Sequence, residues 1–180
     1  TLAYPVLKKH SLPATIFLTV NYIGTDKQSW QVRLYKLLPK LPSEKMGSIG
    51  DGVLKSRLKI YSESNNKFEA YLQLTKYLKT KPTLYIENLF AQWGEPAHST
   101  SGPVCLSWDE VKEMQSCGID FGSHTLNHVI LTVEAEENAS RELQLSKHLL
   151  EQKLGRPVSH FAYPSGELNR KVKSLVRQAG

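Results

Sequence analysis

The order of elements predicts an α/β fold in which a parallel sheet is covered by helices. Three segments, Ala14 to Val20, Ile119 to Gly122 and Val158 to Tyr163, are β-branched or aromatic and read as strands. Helical patterns stand between them. The residues best suited to chemistry follow the second and third of these strands directly, which is where barrels of alternating strands and helices carry their sites.

Taken in order, Thr1 to Lys9 reads as the tail of a helix, and Pro13 introduces the strand from Ala14. Gly24 to Pro103 is the least patterned stretch, broken by Pro39, Pro42 and the loop Gly47-Ser48-Ile49-Gly50-Asp51-Gly52. Within it, either Phe68, Leu72, Thr75 and Leu78 or Tyr71, Leu74 and Leu78 form a helical packing stripe. Ser107 with Glu110 predicts a capping box for a helix that ends at Gly118. The helix Glu134 to Leu154 aligns Ala139, Leu143, Ser146, Leu150 and Leu154 on one face and stops at Gly155, ahead of Pro157. A last helix runs from Asn169 to Ala179. Trp108 and Phe17 are expected in the core.

With 180 residues and 40% hydrophobic composition, the chain can bury one core, so one domain, 1–180, is expected, with a mainly helical insertion at about 24–103. No apolar run approaches the ~20 residues of a membrane span. The net charge of +6 comes from scattered lysines and arginines, with no basic groove interleaved with aromatics, so no nucleic-acid partner is expected. Cys105 and Cys117 form no CxxC motif and read as buried free thiols. Oligomeric state stays open.

The most informative feature is His124 with His128 in Ser123-His124-Thr125-Leu126-Asn127-His128. Two imidazoles four residues apart fall on one face of a helical turn and can reach one metal ion. A catalytic zinc takes about three protein ligands and keeps one position open, so this pair is part of a site. Thr125 stands where a zincin would need Glu, which excludes that motif. Ser123 and Thr125 are expected to accept backbone N–H bonds and hold the ligand turn. His160 reads as an interior histidine, and His10, His98 and His148 as peripheral.

Three blocks resemble the polysaccharide deacetylase family, also called the NodB homology domain or carbohydrate esterase family 4. They are Tyr4 to Leu18 with its Pro13-Ala14-Thr15-Ile16-Phe17, Leu106 to His128, and Leu154-Gly155-Arg156-Pro157-Val158 followed by Phe161-Ala162-Tyr163-Pro164-Ser165-Gly166. The resemblance implies a distorted (β/α) barrel of the NodB type and a metal-dependent hydrolase that removes N-acetyl, or O-acetyl, groups from an acetylated polysaccharide. It implies a divalent ion, zinc foremost, held by His124 and His128 with a third ligand from an Asp outside these residues. Base Asp and acid His are likewise expected outside them, so that 1–180 reads as an incomplete domain. Tyr163, Pro164 and Ser165 would line the sugar groove, with the backbone N–H of Ser165 donating to the oxyanion. The third block departs from the commonest pattern, having Ala162 in place of Arg and Ser165 in place of an aromatic. The resemblance favours a secreted or cell-envelope setting. Two other readings stay open: a non-catalytic carbohydrate-binding relative, and a structural zinc module in which Cys105 or Cys117 joins the histidines.

Overall fold

The computed structural model describes residues 2–95 and 105–180. In chain order the elements are α1 (Ala3–Lys9), β1 (Ala14–Leu18), α2 (Trp30–Leu37), α3 (Ser43–Ser48), α4 (Gly52–Glu63), α5 (Lys67–Leu78), α6 (Thr83–Trp93), α7 (Trp108–Ser116), β2 (Ile119–Ser123), α8 (Glu136–Leu154) and α9 (Arg170–Ala179). The chain divides into two compact units, Thr1–Lys27 with Ser101–Gly180, and Gln28–Thr100. His98 and Pro103 lie outside the described residues, as does Thr1. No helix among the described residues is long and apolar enough to cross a membrane.

In the first unit β1 and β2 pair in parallel, from Ala14 opposite Ile119 to Leu18 opposite Ser123. Leu18, Ile119 and Phe121 enter a core with Val111, Met114, Leu150, Leu154 and Val158. Phe17 lies on the other face of the strand and is 40% exposed, so it is not the core residue expected. Its ring covers Gly122, where a Cβ would come within 2.6 Å of Phe17 Cε1 and 2.7 Å of the His160 carbonyl oxygen. Only glycine permits so close an approach of ring and backbone.

The third expected strand contracts to one parallel bridge between Ser123 and Phe161. Ser123 N donates to the His160 carbonyl at 2.8 Å, and Ala162 N donates to the Ser123 carbonyl at 3.0 Å. Pairing goes no further. Pro157 and Pro164 bracket the segment, and Val158 N donates instead to the Glu151 carboxylate at 3.0 Å. The described strands therefore make a two-stranded sheet with this bridge at its edge, and no closed barrel.

Around this sheet the local signals act as expected. Ser107 Oγ accepts from Glu110 N at 3.2 Å while Glu110 Oε2 accepts from Ser107 N at 2.7 Å, closing the capping box of α7. The N–H of Ser107 holds the Glu110 carboxyl below its ordinary range. On α8, Ala139, Leu143, Ser146, Leu150 and Leu154 are buried, and so is Glu142. Val172 and Leu175 of α9 pack with Val129, Leu131, Ala139 and Leu143. Cys105 is half-buried and Cys117 exposed, so neither is the buried thiol expected.

The second unit is built by α2 to α6 around Trp30, Leu34, Leu54, Leu58, Leu74, Leu78, Ile86, Phe90 and Trp93. On α5 the buried face is Ala70, Leu74, Thr75 and Leu78, leaving Phe68 and Leu72 in solvent. Arg33 chelates Glu87 at 2.7 and 2.9 Å and Glu95 at 2.5 Å, with its guanidinium 4.6 Å from the Phe90 ring centroid.

Asp51 caps α4 by accepting from Leu54 N at 2.9 Å, and the same carboxylate receives Tyr77 Oη and pairs with Lys81 Nζ at 3.3 Å. The Tyr77 hydroxyl first, then the Leu54 N–H and Lys81, hold its carboxyl well below the ordinary carboxylate range. Asp51→Ala is expected to cost about 1–2 kcal/mol, the usual loss for an N-cap. A depressed native pKa means the charged contribution is complete above the unfolded value, ~4, and is lost as pH falls below it. Urea midpoints of the two proteins should thus differ at pH 7 and draw together towards pH 2. A gap that widens on acidification would contradict this assignment.

Candidate metal centre

β2 delivers His124 at its carboxyl end, where His124 N donates to the Leu18 carbonyl at 2.9 Å. The His124 and His128 rings lie with centroids 4.8 Å apart, edge to face at 75°. The expected helical turn is absent. Residues 124–130 are irregular, and Thr125 and His128 have φ of 66° and 61°, in the left-handed region that non-glycine residues seldom occupy. A strained loop, rather than helical spacing, brings the rings together.

His124 Nδ1 lies 2.8 Å from the Ala162 carbonyl oxygen. A carbonyl can only accept, so Nδ1 carries a proton, and Nε2 is the ring nitrogen left for a metal. This is the arrangement in which ligating histidines are held by an outer hydrogen bond. Paired half-buried imidazoles, one with its tautomer fixed, fit two positions of a divalent-ion site with nitrogen donors. No group of three or more His, Cys, Asp or Glu able to hold a metal is found among the described residues. Neither Cys105 nor Cys117 therefore completes a closed structural zinc site with the histidines.

The loop is held from two sides. From the turn Val20–Tyr22, Val20 N donates to the Thr125 carbonyl at 3.3 Å, Asn21 N to the Leu126 carbonyl at 2.9 Å, and Asn21 Nδ2 to Asn127 Oδ1 at 2.8 Å. From α8, Glu142 Oε2 accepts from Leu126 N at 3.0 Å and Asn127 N at 2.9 Å, while Oε1 accepts from Asn127 Nδ2 at 2.6 Å.

The hydroxyls do other work than expected. Ser146 Oγ donates to the Leu143 carbonyl at 2.9 Å, so in the 2.7 Å contact between Ser123 Oγ and Ser146 Oγ it is Ser123 that donates. Thr125 Oγ1 is buried and meets no hydrogen-bond partner among the described residues. The backbone N–H groups of Leu126 and Asn127 go to the Glu142 carboxylate, which the sequence reading passed over. A signal was present: Glu142 is three residues after Ala139 and four before Ser146, a charge on a face otherwise destined for burial.

Ala162 stands one residue before Tyr163, Pro164 and Ser165. The Tyr163 ring meets Phe161 edge to face at 5.1 Å and packs on the core of α8 and α9. Pro164 is buried, and Ser165 is exposed at φ 59° and ψ 8°. Three residues of chain span at most ~11 Å, which bounds the distance from Ser165 to Ala162, whose carbonyl meets the His124 imidazole. His160 is 57% exposed at its side chain and sits 3.5 Å from Asp120, a surface pair rather than an interior histidine. Asp120 also receives Arg156. His10 and His148 are exposed.

The sequence matches the family model for polysaccharide deacetylases over residues 52–180, and the chain belongs to that family. The match takes in both the histidine loop and the Tyr163-Pro164-Ser165 segment. Two solved structures are similar to this chain: the Streptococcus pyogenes deacetylase PplD in complex with acetate, and BC0361, a polysaccharide deacetylase from Bacillus cereus. The first is 16% identical with a TM-score of 0.42, over 93% of this chain and 77% of that one. The second is 19% identical with a TM-score of 0.40, over 93% of this chain and 55% of that one. The chain thus spans little more than half the length of the Bacillus protein. No curated protein matches it.

Proposed function

We propose that this chain carries part of the active site of a metal-dependent polysaccharide deacetylase, which hydrolyses N-acetyl groups, or O-acetyl groups, of a sugar polymer. The observation that supports it most is the pairing of His124 and His128 at 4.8 Å, with His124 fixed by the carbonyl that leads into Tyr163-Pro164-Ser165. Hydrolysis adds water across the amide C–N bond and yields acetate and a free amine; the amide is a poor electrophile and neutral water a poor nucleophile. A bound divalent ion, zinc foremost, supplies the missing reactivity by polarising the carbonyl and acidifying water.

The chain's own residues then have separate tasks. His124 and His128 would hold the ion, and the Ala162 carbonyl, by accepting from His124 Nδ1, would leave that ring's other nitrogen available as a ligand. Ser123 and Thr125 support the loop through their backbone groups and not through their hydroxyls. Tyr163, Pro164 and Ser165 line the sugar groove, and the backbone N–H of Ser165 donates to the oxyanion that develops on the acetyl group. The architecture that goes with this reading is a distorted (β/α) barrel of the NodB type, one domain with the helices of 24–103 as its insertion.

The test is acetate release by the natural gene product from N-acetylated chitooligosaccharides, peptidoglycan and an O-acetylated glycan. Release that stops with a chelator and returns with zinc is the expected result. Release indifferent to chelation would overturn the metal-dependent chemistry, and none from any acetylated glycan in the metal-loaded protein would overturn the activity.

A further inference from the structure

Glu142 is 4% exposed, yet it makes no ion pair with lysine or arginine among the described residues. An isolated buried carboxylate is costly unless hydrogen bonds replace its water. Here three N–H donors do so, and all belong to Leu126 and Asn127, two of the residues between the histidines. Asn127 is gripped again by Asn21, whose backbone N–H also takes the Leu126 carbonyl. The loop so held includes the left-handed Thr125 and His128, conformations that persist only where the surroundings over-determine them.

We propose that Glu142 is the positioning residue of the metal centre: its carboxylate holds the 124–128 loop in the strained conformation that keeps the two imidazoles at chelating separation. The inference rests on the metal-site reading above. A carboxylate is needed because both oxygens accept. In Glu142→Gln the shape is kept, but the amide NH₂ must face either Asn127 Nδ2 or the backbone N–H groups of Leu126 and Asn127, donor against donor.

Zinc titration calorimetry on metal-free wild type, Glu142→Gln and Leu150→Ala tests it. Leu150 is fully buried on the same helix and away from the loop's hydrogen bonds, so it controls for stability alone. Glu142→Gln is expected to weaken zinc binding tenfold or more, the usual cost of losing an outer partner, whereas Leu150→Ala should lower the melting temperature and leave Kd unchanged. A second readout needs no metal: ring-to-ring nuclear Overhauser contacts between His124 and His128 in the metal-free protein should be present in wild type and Leu150→Ala and absent in Glu142→Gln. If wild type binds no zinc but the contacts vanish in Glu142→Gln, the metal reading fails and the positioning role stands. If Glu142→Gln binds zinc like wild type, or keeps the ring contacts, the positioning role is overturned.

Discussion

His124→Ala with His128→Ala is expected to abolish stoichiometric zinc binding while the circular dichroism spectrum stays that of the folded protein. Losing both imidazoles removes the paired nitrogen donors of the proposed site, and ligand affinity at such centres depends on each donor in turn. The anchors that reach the loop from α8 and from Val20–Tyr22 do not involve the rings. Leu126, Val129 and Ile130 are buried, and the bonds from Glu142, Val20 and Asn21 go to backbone groups or to Asn127, not to imidazole. Elemental analysis beside circular dichroism checks both halves. Zinc retained at one equivalent by the double variant would remove His124 and His128 from the metal site.

What the sequence disclosed and what it hid follow a physical division. The Ser107 capping box, the stop at Gly118 and the buried face of α8 are local, set by residues within a turn or two of one another, and these were legible. The helices of the second unit were not, apart from α5. They run only 6 to 12 residues each, and a period of 3.6 hardly declares itself over so short a stretch interrupted by Pro39, Pro42 and Gly52. The third strand failed for the opposite reason: its residues have strand character, but whether Val158 pairs with a strand or with the Glu151 carboxylate is decided by tertiary contacts. At the site, the spacing of His124 and His128 singled out two rings that do meet, but through an irregular loop and not the helical turn expected. Nothing local makes a threonine and a histidine adopt left-handed backbone; Glu142, fourteen residues beyond His128, and Asn21, more than a hundred before it, impose that.

Gly122→Ala is expected to be strongly destabilising for the addition of a single methyl group. The new Cβ would stand 2.6 Å from Phe17 Cε1 and 2.7 Å from the His160 carbonyl oxygen, far inside contact distance. The two neighbours differ in what they can yield. Phe17 is 40% exposed and its ring can swing outward, but the His160 carbonyl accepts from Ser123 N at 2.8 Å and cannot retreat without opening the bridge between Ser123 and Phe161. Opening it also moves Ala162, whose N–H and carbonyl tie Ser123 and His124 to that segment. A loss of about 3 kcal/mol, the upper part of the range for overpacking, should lower the melting temperature by roughly 6–12 °C for a chain of this size. Zinc affinity should fall with it, because the His124 ring loses the acceptor that fixes its tautomer. Adding Phe17→Ala separates the two clashes: the double variant should recover little stability if the carbonyl is the rigid partner. Full recovery of melting temperature and zinc affinity in Gly122→Ala/Phe17→Ala would locate the conflict in the ring alone and refute the link from this glycine to the histidine site.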